Sequence, residues 1–492
     1  MNYEGHELTE EQEEVVTVAK SGVDQATQSP AGGGKTFVLK AVSQALNEQN
    51  WRGIYLAFNR GIADSAGKSF PKNVLCKTNH SLAYGKEGYK YRGRLKNNIS
   101  GGILMQAVDI GEKGLFPSKA NKAYLILTTI RKFCYSADPE LTFKHIPYLG
   151  NKITDIDVLE HMMAVLPVGA LKVWEAMIDT DGDCPITHDV YLKKWALNNP
   201  YIPQDFILYD EFQDANPVML DVVMKQHHAQ KLFVGDKFQQ IYQWRGAVNA
   251  LDQVQVDKRT YLSQSFRFGD GVAEVANNIL QNYTPPDENP IMIKGNPNRE
   301  SILRNISNPD AGICRTNGGV ITQVFQYIAR DKKVYIQGGA KQLISLLMGA
   351  KDLMAGKQSI VPELALFKNW EEVKGFTETD EGEQLKSFVR LVENHGVHEL
   401  LSLLYRTEES SRNADIVLTT AHKCKGLEFG KVKLGEDFVY PTLKKPLQPG
   451  EINILYTAAT RALDALDITC CPAANVPVIM KMIEMERKEE GI

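Results

Sequence analysis

Val23-Asp24-Gln25-Ala26-Thr27-Gln28-Ser29-Pro30-Ala31-Gly32-Gly33-Gly34-Lys35-Thr36, followed by an apolar-periodic run from Phe37 to Leu46, reads as strand, glycine-rich turn and helix. That succession is the context of a phosphate-binding loop. Glycines let backbone N–H groups close around phosphate oxygens, and the helix N-terminus adds positive potential. In this reading Gly32, Gly33 and Gly34 shape the turn, Lys35 reaches the β and γ phosphates, and Thr36 ligates Mg²⁺. The widest form of the pattern has glycine where Ser29 stands. A flexible glycine loop ahead of a helix is the plainer alternative.

Phe206-Ile207-Leu208-Tyr209-Asp210-Glu211-Phe212-Gln213-Asp214 supplies the other half of such a site. A buried strand ends in adjacent carboxylates where a parallel sheet exposes its carboxyl edge. Two acids there are costly for structure alone, because Asp and Glu are seldom buried without a partner. Beside a phosphate loop, Asp210 would hold Mg²⁺ through its water shell, and Glu211 would orient and deprotonate an attacking water. Asp214 is better suited to capping the next helix. ATP and Mg²⁺ are the ligands this pairing implies.

A third stretch, Gly235-Asp236-Lys237-Phe238-Gln239-Gln240-Ile241-Tyr242-Gln243-Trp244-Arg245-Gly246-Ala247, follows the strand-like run Lys231 to Val234. Asp236 and Gln239 lie where a sheet presents its ligand edge. Tyr242, Trp244 and Arg245 then offer π-faces and a planar cation, the groups that stack on unpaired bases. A phosphate sensor joined to a stacking platform points to a nucleotide-driven motor on single-stranded nucleic acid. The plainer reading of Trp244 is a core tryptophan.

The chain has 492 residues, enough for two to four domains. Its composition is ordinary for a globular protein, with no membrane-length apolar run and no amino-terminal signal pattern. Its seven cysteines lack paired metal-ligand spacing, so reduced packing cysteines are expected. A net charge of −4 gives no global pull toward nucleic acid, and any contact must come from a local basic groove. Lys86 to Lys96 interleaves basic residues with Tyr89 and Tyr91, which suits either a base-stacking surface or a solvated loop with partly buried tyrosines.

With these elements placed, the motif order resembles the superfamily 1A helicases, the UvrD/Rep/PcrA group, from residue 8 to about 465. Leu8-Thr9-Glu10-Glu11-Gln12 is similar to that family's adenine-reading element, with Gln12 on the base edge; Thr9 and Gln12 could equally cap a helix. Ser263-Gln264-Ser265-Phe266-Arg267 resembles the fourth motif, which implies adenine stacking for Phe266 and a γ-phosphate contact for Arg267. Thr419 to Phe429 resembles the fifth, with Glu428 on the ribose and His422 along the DNA path. Tyr456 to Ala462 resembles the sixth, making Arg461 a second arginine finger. Lys35, Asp210, Glu211, Gln239, Arg267 and Arg461 form the implied catalytic set. Many relatives carry arginine where Phe37 stands; its ring could stack on adenine or face the core.

Within the group, the likeness is to the helicase portion of the F-box DNA helicases. It rests on Leu56-Ala57-Phe58-Asn59-Arg60, on Phe70 to Val74 with Cys76 to Tyr84, and on Arg245 to Leu251. Asn59, His80, Tyr242, Trp244, Arg245 and His422 are the implied nucleic-acid contacts. Little sequence precedes Leu8, so no F-box and no ubiquitin-ligase partner are expected, and a cytoplasmic, nucleoid-associated enzyme of bacterial or phage type is.

The expected fold is α/β: two RecA-like, doubly wound parallel-sheet P-loop domains with mostly helical insertions, facing each other across ATP. Residues 1–85 and 198–262 form the first core domain, interrupted by a helical insertion at 86–197. Residues 263–340 and 413–492 form the second, interrupted by a reduced insertion at 341–412. Expected strands are Ile54 to Phe58, Phe206 to Tyr209 and Leu232 to Val234 in the first, and Val334 to Gln337, Ile416 to Thr419 and Ile468 to Cys470 in the second. The resemblance implies an ATP-dependent 3′ to 5′ helicase and translocase on single-stranded DNA and on DNA with 3′ tails. Replication or recombination proteins are candidate partners, and replication, repair and recombination candidate settings. A translocase that strips bound proteins, such as recombinase filaments, is the rival; a non-catalytic nucleic-acid-binding module is the lesser one.

Overall fold

A computed structural model describes residues 1–116, 118–147, 155–241, 249–285, 288–379 and 382–490. The chain divides into two compact units. The first comprises Met1–Gln28, Lys35–Lys237 and Tyr242–Tyr261; the second comprises Ser29–Gly34, Phe238–Ile241 and Leu262–Ile492.

The first unit opens with a short antiparallel pair, β1 (Asn2–Tyr3) and β2 (His6–Glu7), then α1 (Glu10–Lys20). Its main sheet is built from β3 (Gln25–Gln28), β4 (Gly53–Ala57), β5 (Val74–Thr78), β8 (Phe206–Tyr209), β9 (Gln230–Gly235) and β10 (Lys258–Tyr261). They lie in the order β10-β3-β9-β8-β4-β5, and every neighbouring pair is parallel. Parallel strands covered on both faces need near-continuous apolar sequence, and β4, β8 and β9 are buried at every position. Helices α2 (Lys35–Asn47), α3 (Arg60–Ser69) and α4 (Asn79–Tyr84) follow β3, β4 and β5 in turn.

Between α4 and β8 the described residues form α5 (Gly101–Ala107), α6 (Lys119–Tyr135), α7 (Ile156–Ile178) and α8 (His188–Leu197). A two-stranded parallel ladder, β6 (Leu95–Lys96) with β7 (Ile186–Thr187), ties the two ends of this helical stretch together. The Lys86 to Lys96 run divides between its two readings. Tyr89 is exposed, whereas Tyr91 is buried and donates to Glu87 and to the Ile178 carbonyl. Arg94 turns inward onto the carbonyls of Ala176, Cys184 and Asp179. After β8, α9 (Pro217–Met224) is capped by Asn216, not by Asp214. Asn216 directly precedes Pro217 at the first helical position, where a missing N–H costs nothing. Helix α10 (Ala250–Gln253) precedes β10.

The second unit carries α11 (Asp270–Tyr283), β11 (Ile302–Leu303), β12 (Ala311–Cys314), α12 (Asn317–Ile328) and β13 (Val334–Ile336). Helices α13 (Lys341–Met354), α14 (Trp370–Phe376) and α15 (Glu383–Leu404) come next, then β14 (Ile416–Thr420), β15 (Phe429–Leu434), α16 (Pro449–Ala459), β16 (Ala462–Asp467) and α17 (Val476–Glu490). The sheet order is β11-β16-β15-β12-β14-β13, again parallel throughout. Helix α15 breaks at Gly396, where φ is 73°. Helices α13, α14 and α15 share one buried cluster with the sheet, including Leu346, Trp370, Phe388, Ile336 and Leu418.

The two parallel sheets bear out the expected α/β class. One strand is misplaced. Ile468 to Cys470 lies past β16, because the Asp467 carboxylate accepts from the Thr469 N–H at 2.9 Å and from its hydroxyl at 2.6 Å. That Asx-type turn ends the strand although Ile and Thr favour extending it. Among the described residues no helix is long and apolar enough to cross a membrane.

Candidate nucleotide site

In the first unit the chemistry gathers where β8 ends. Asp210 is buried, and its Oδ2 accepts from the Tyr55 hydroxyl at 2.6 Å and from the Thr36 hydroxyl at 3.0 Å. Its Oδ1 accepts from the Glu211 N–H at 2.9 Å. Glu211 sits at φ 52°, the left-handed region that a residue with a side chain rarely adopts. Such backbone strain persists only where the surroundings hold it, commonly at functional sites. Lys35 Nζ lies 3.5 Å from Glu211 Oε1, and Gln213 Nε2 donates to Glu211 Oε2 at 2.5 Å.

Burial first, then the Glu211 charge, pushes the Asp210 carboxyl above the ordinary carboxylate range; Tyr55, Lys35 and Thr36 act against them. Burial and the Asp210 carboxylate likewise drive the Tyr55 hydroxyl far up. Adjacent acids in this setting carry negative charge that a hard cation would relieve. Thr36 and Asp210 present the oxygen donors that Mg²⁺ takes, so the residues fit the ion.

Gln213 continues the network. Its Oε1 accepts from the Asp236 N–H at 2.9 Å, and Asp236 Oδ1 accepts from Gln28 Nε2 at 3.3 Å. Gln28 Oε1 accepts in turn from the Lys237 N–H at 3.2 Å. Glu211 is thereby joined to the end of β9, immediately before Phe238 and Gln239.

The glycine turn, within the second unit, has φ 73° at Gly32 and 76° at Gly34. A Cβ on Gly32 would come within 2.4 Å of the Arg267 Cβ, so only glycine fits there. Tyr456 Oη accepts from the Ala31 N–H at 3.0 Å; Ser265 Oγ donates to the Ala31 carbonyl at 3.0 Å; the Phe266 N–H donates to the Gly32 carbonyl at 2.8 Å. The Phe266 ring is 46% exposed, as a stacking face requires.

Arg267 Nε meets Glu428 Oε1 at 2.6 Å, so Glu428 is engaged by an arginine here. Arg461 is buried and donates to three neutral oxygens: the Thr457 carbonyl at 2.9 Å, Gln239 Oε1 at 3.1 Å and Thr460 Oγ1 at 3.1 Å. Burial and the neighbouring Arg267 charge bring Arg461 down to about 10. Two like-charged guanidinium groups in one site make a setting that favours an anion. Lys425 Nζ donates to the Gln239 carbonyl at 2.6 Å and Asn453 Nδ2 to the Gln240 carbonyl at 2.9 Å, fixing the segment that carries Gln239.

The remaining sequence candidates fall as follows. Gln12 is buried in a capping box with Thr9, its Oε1 accepting from the Thr9 N–H at 3.1 Å. Phe37 is half-buried and packs edge-on against Tyr3, with ring centroids 5.5 Å apart, and against His6, not in the core. The aromatic hairpin β1–β2 lies over its face of α2. Asn59 caps α3 through Ile62. His80 Nε2 pairs with Asp189 Oδ1 at 2.9 Å. His422 is half-buried in the second unit. Tyr242, Trp244 and Arg245 lie outside the described residues.

The sequence reading passed over Tyr55, Tyr209, Gln213 and Phe58 as site residues. Tyr209 Oη accepts from Asn79 Nδ2 at 2.7 Å, joining the residue before Asp210 to the one before His80. Phe58 is 44% exposed just beyond β4, where Ala57 is in register with Thr78, so Phe58, Asn59 and the Asn79–His80 corner share one sheet edge. An aromatic at a strand's carboxyl end was the available signal for Phe58. Tyr55 gave only a polar atom inside an apolar strand.

Residues 190–256 match the family model of the UvrD/REP helicase N-terminal domain, and residues 350–473 that of the UvrD-like helicase C-terminal domain. The chain is 31% identical over 476 residues to F-box DNA helicase 1 of Gallus gallus, covering 89% of this chain and 46% of that protein. It is 30% identical over 510 residues to F-box DNA helicase protein 1 of Schizosaccharomyces pombe, covering 92% and 56%. DNA helicase IV of Escherichia coli is 35% identical over 124 residues, 23% of this chain and 17% of that protein. The chain spans about half the length of the two relatives that match most of it. Both are eukaryotic, so the expected bacterial or phage-type setting draws no support from them. Matched in order by both family models, and alike to these helicases along most of its length, the chain belongs to the UvrD-like family of superfamily 1 DNA helicases.

Proposed function

We propose that this chain couples hydrolysis of Mg-ATP to movement along single-stranded DNA, 3′ to 5′, and separates duplexes that carry 3′ tails. The observation that carries the reading is the pairing of two costly constellations. Asp210 and Glu211 share a site with Lys35 and Thr36, while buried Arg461 lies beside Arg267 and holds Gln239. Acids suit a cation and an attacking water; paired arginines suit a phosphoryl group gaining charge. Mg²⁺ held by Thr36 and Asp210 would neutralise phosphate charge. Glu211 accepts the proton of the attacking water, Lys35 and the two arginines stabilise the transferring phosphoryl, and Gln239 reports on it.

The nucleic-acid side of the reading rests on Phe58, Asn59 and His80 in the first unit, on His422 in the second, and on the sequence of Tyr242, Trp244 and Arg245. The 3′ to 5′ direction rests on family membership. The domain boundaries given for the sequence, with insertions at 86–197 and 341–412, are part of the proposal. The test is steady-state ATPase activity with and without single-stranded DNA, RNA and duplex, followed by unwinding of duplexes tailed on either strand. Stimulation by single-stranded DNA and a demand for a 3′ tail are expected. ATPase indifferent to nucleic acid, or a preference for 5′ tails, overturns it.

A further inference from the structure

A cavity of about 990 Å³ lies within the second unit and shares no residue with the nucleotide site. That is the size of a small-molecule site. Its walls are α12, the first half of α15 and the chain leaving β15. Gly319, Gln323 and Gln326, with Arg330 just beyond the helix end, recur at helical spacing on one wall; Lys386, Arg390 and Asn394 do so on the other. Residues three or four apart share a helix face, so two polar stripes border the same space. From Lys386 to Asn394 the wall runs roughly 12 Å at 1.5 Å per residue, about the length of one nucleotide.

The charges facing this space are unequal. Arg315 is paired with Glu451, and Lys433 with Asp467 at 2.7 Å. The Asp437 carboxylate accepts from the N–H groups of Arg315 and Thr316 and from the Thr316 hydroxyl. Those donors are neutral, so what remains is Arg330, Lys386 and Arg390 against Glu436 and Asp437. No ion pair joins any of these three cations to a described carboxylate. On the floor, Gln323 is nine-tenths buried, with its Oε1 turned onto Gly312 of β12. Tyr440, 42% exposed, stands at the rim.

We propose that this cavity is a second ligand site, taking a phosphate-bearing ligand of nucleotide size. Its phosphates lie among Arg330, Lys386 and Arg390, and its ring stacks on Tyr440. A free nucleoside diphosphate and the terminal nucleotide of a strand carry the same chemistry. The experiment uses the full chain with Lys35→Ala, which removes the phosphate-directed charge of the P-loop. ADP and, separately, a 5′-phosphorylated thymidine dinucleotide are titrated calorimetrically. One binding event is expected to survive Lys35→Ala for at least one probe. Arg330→Ala with Arg390→Ala in that background weakens it at least tenfold. Both arginines are exposed, so their loss spares the fold, which circular dichroism checks. Survival with ADP alone identifies a free nucleotide, and with the dinucleotide alone a strand end. No binding event after Lys35→Ala, or one unchanged by the double arginine substitution, overturns the proposal and leaves the ATPase reading untouched.

Discussion

Tyr55→Phe removes one hydroxyl and keeps the ring that packs on Phe70, with centroids 4.5 Å apart. The hydroxyl donates to Asp210 Oδ2 at 2.6 Å, the short range of a hydrogen bond to an ionised acceptor. Such a bond contributes about 1.5–3 kcal/mol. At 1.36 kcal/mol per pH unit, its loss moves the Asp210 titration up by about 1–2 units. Burial and Glu211 already hold that carboxyl above its usual range, so the substitution pushes the same way. The acid limb of the kcat/KM profile for ATP hydrolysis, which reports groups of the free enzyme, should therefore shift upward by about 1–2 units. Activity should recover as the pH is raised.

The stability sign follows from the same raised titration. Asp210 binds its proton more readily folded than unfolded, so its contribution to stability is fully present below the unfolded value and is lost as pH rises through the folded one. Tyr55→Phe moves the upper end of that window higher, so the ligand-free variant keeps this increment to higher pH. A uniform fall in rate across all pH values, with the acid limb unmoved, would refute the reasoning and leave Tyr55 as packing alone.

Glu211→Gln should preserve nucleotide binding and slow turnover by about 10²–10⁴-fold, the usual loss of a general base; near wild-type single-turnover hydrolysis rules that role out. Arg461→Lys loses the planar fork shared among Thr457, Thr460 and Gln239, and hydrolysis should fall by about 10³-fold or more with nucleotide affinity nearly kept. Equal losses in both would make Arg461 a structural cation. Phe58→Ala should weaken single-stranded DNA binding by about 1–3 kcal/mol, one base stack, with ATP affinity unchanged. Fluorescence anisotropy reads this directly, and wild-type affinity would return Phe58 to the count of ordinary exposed aromatics.

The parallel sheets were legible because buried strands such as Phe206 to Tyr209 are apolar throughout, and because glycine and acid punctuate their ends. The residues that hold the chemistry in place were not. Tyr55 touches Asp210 because β4 lies beside β8 with Tyr55 opposite Leu208, and no local pattern encodes that register. Phe37 fits any apolar face of α2 until the hairpin β1–β2 is placed over it. Ile468 to Cys470 has strand-forming residues, yet a side chain two positions back captures its backbone. In each case a long-range neighbour or a single side-chain hydrogen bond outweighs local preference.

The costs are opposite in sign in the two constellations. In the first unit, burial and a second carboxylate resist ionisation of Asp210. In the second, burial and a second guanidinium resist the charge on Arg461. Each is offset only in part by its own surroundings: Tyr55, Lys35 and Thr36 act against the rise at Asp210, and Glu428 supports the charge on Arg461, whose hydrogen bonds go to neutral oxygens. On the proposed function, a divalent ion suits the acids, and a phosphoryl group gaining charge suits the arginines. Each constellation is thus held ready at a cost, and the ligand is selected by relief of like-charge crowding as well as by new contacts. On the proposed function, the charge on the phosphates decides whether the motor engages.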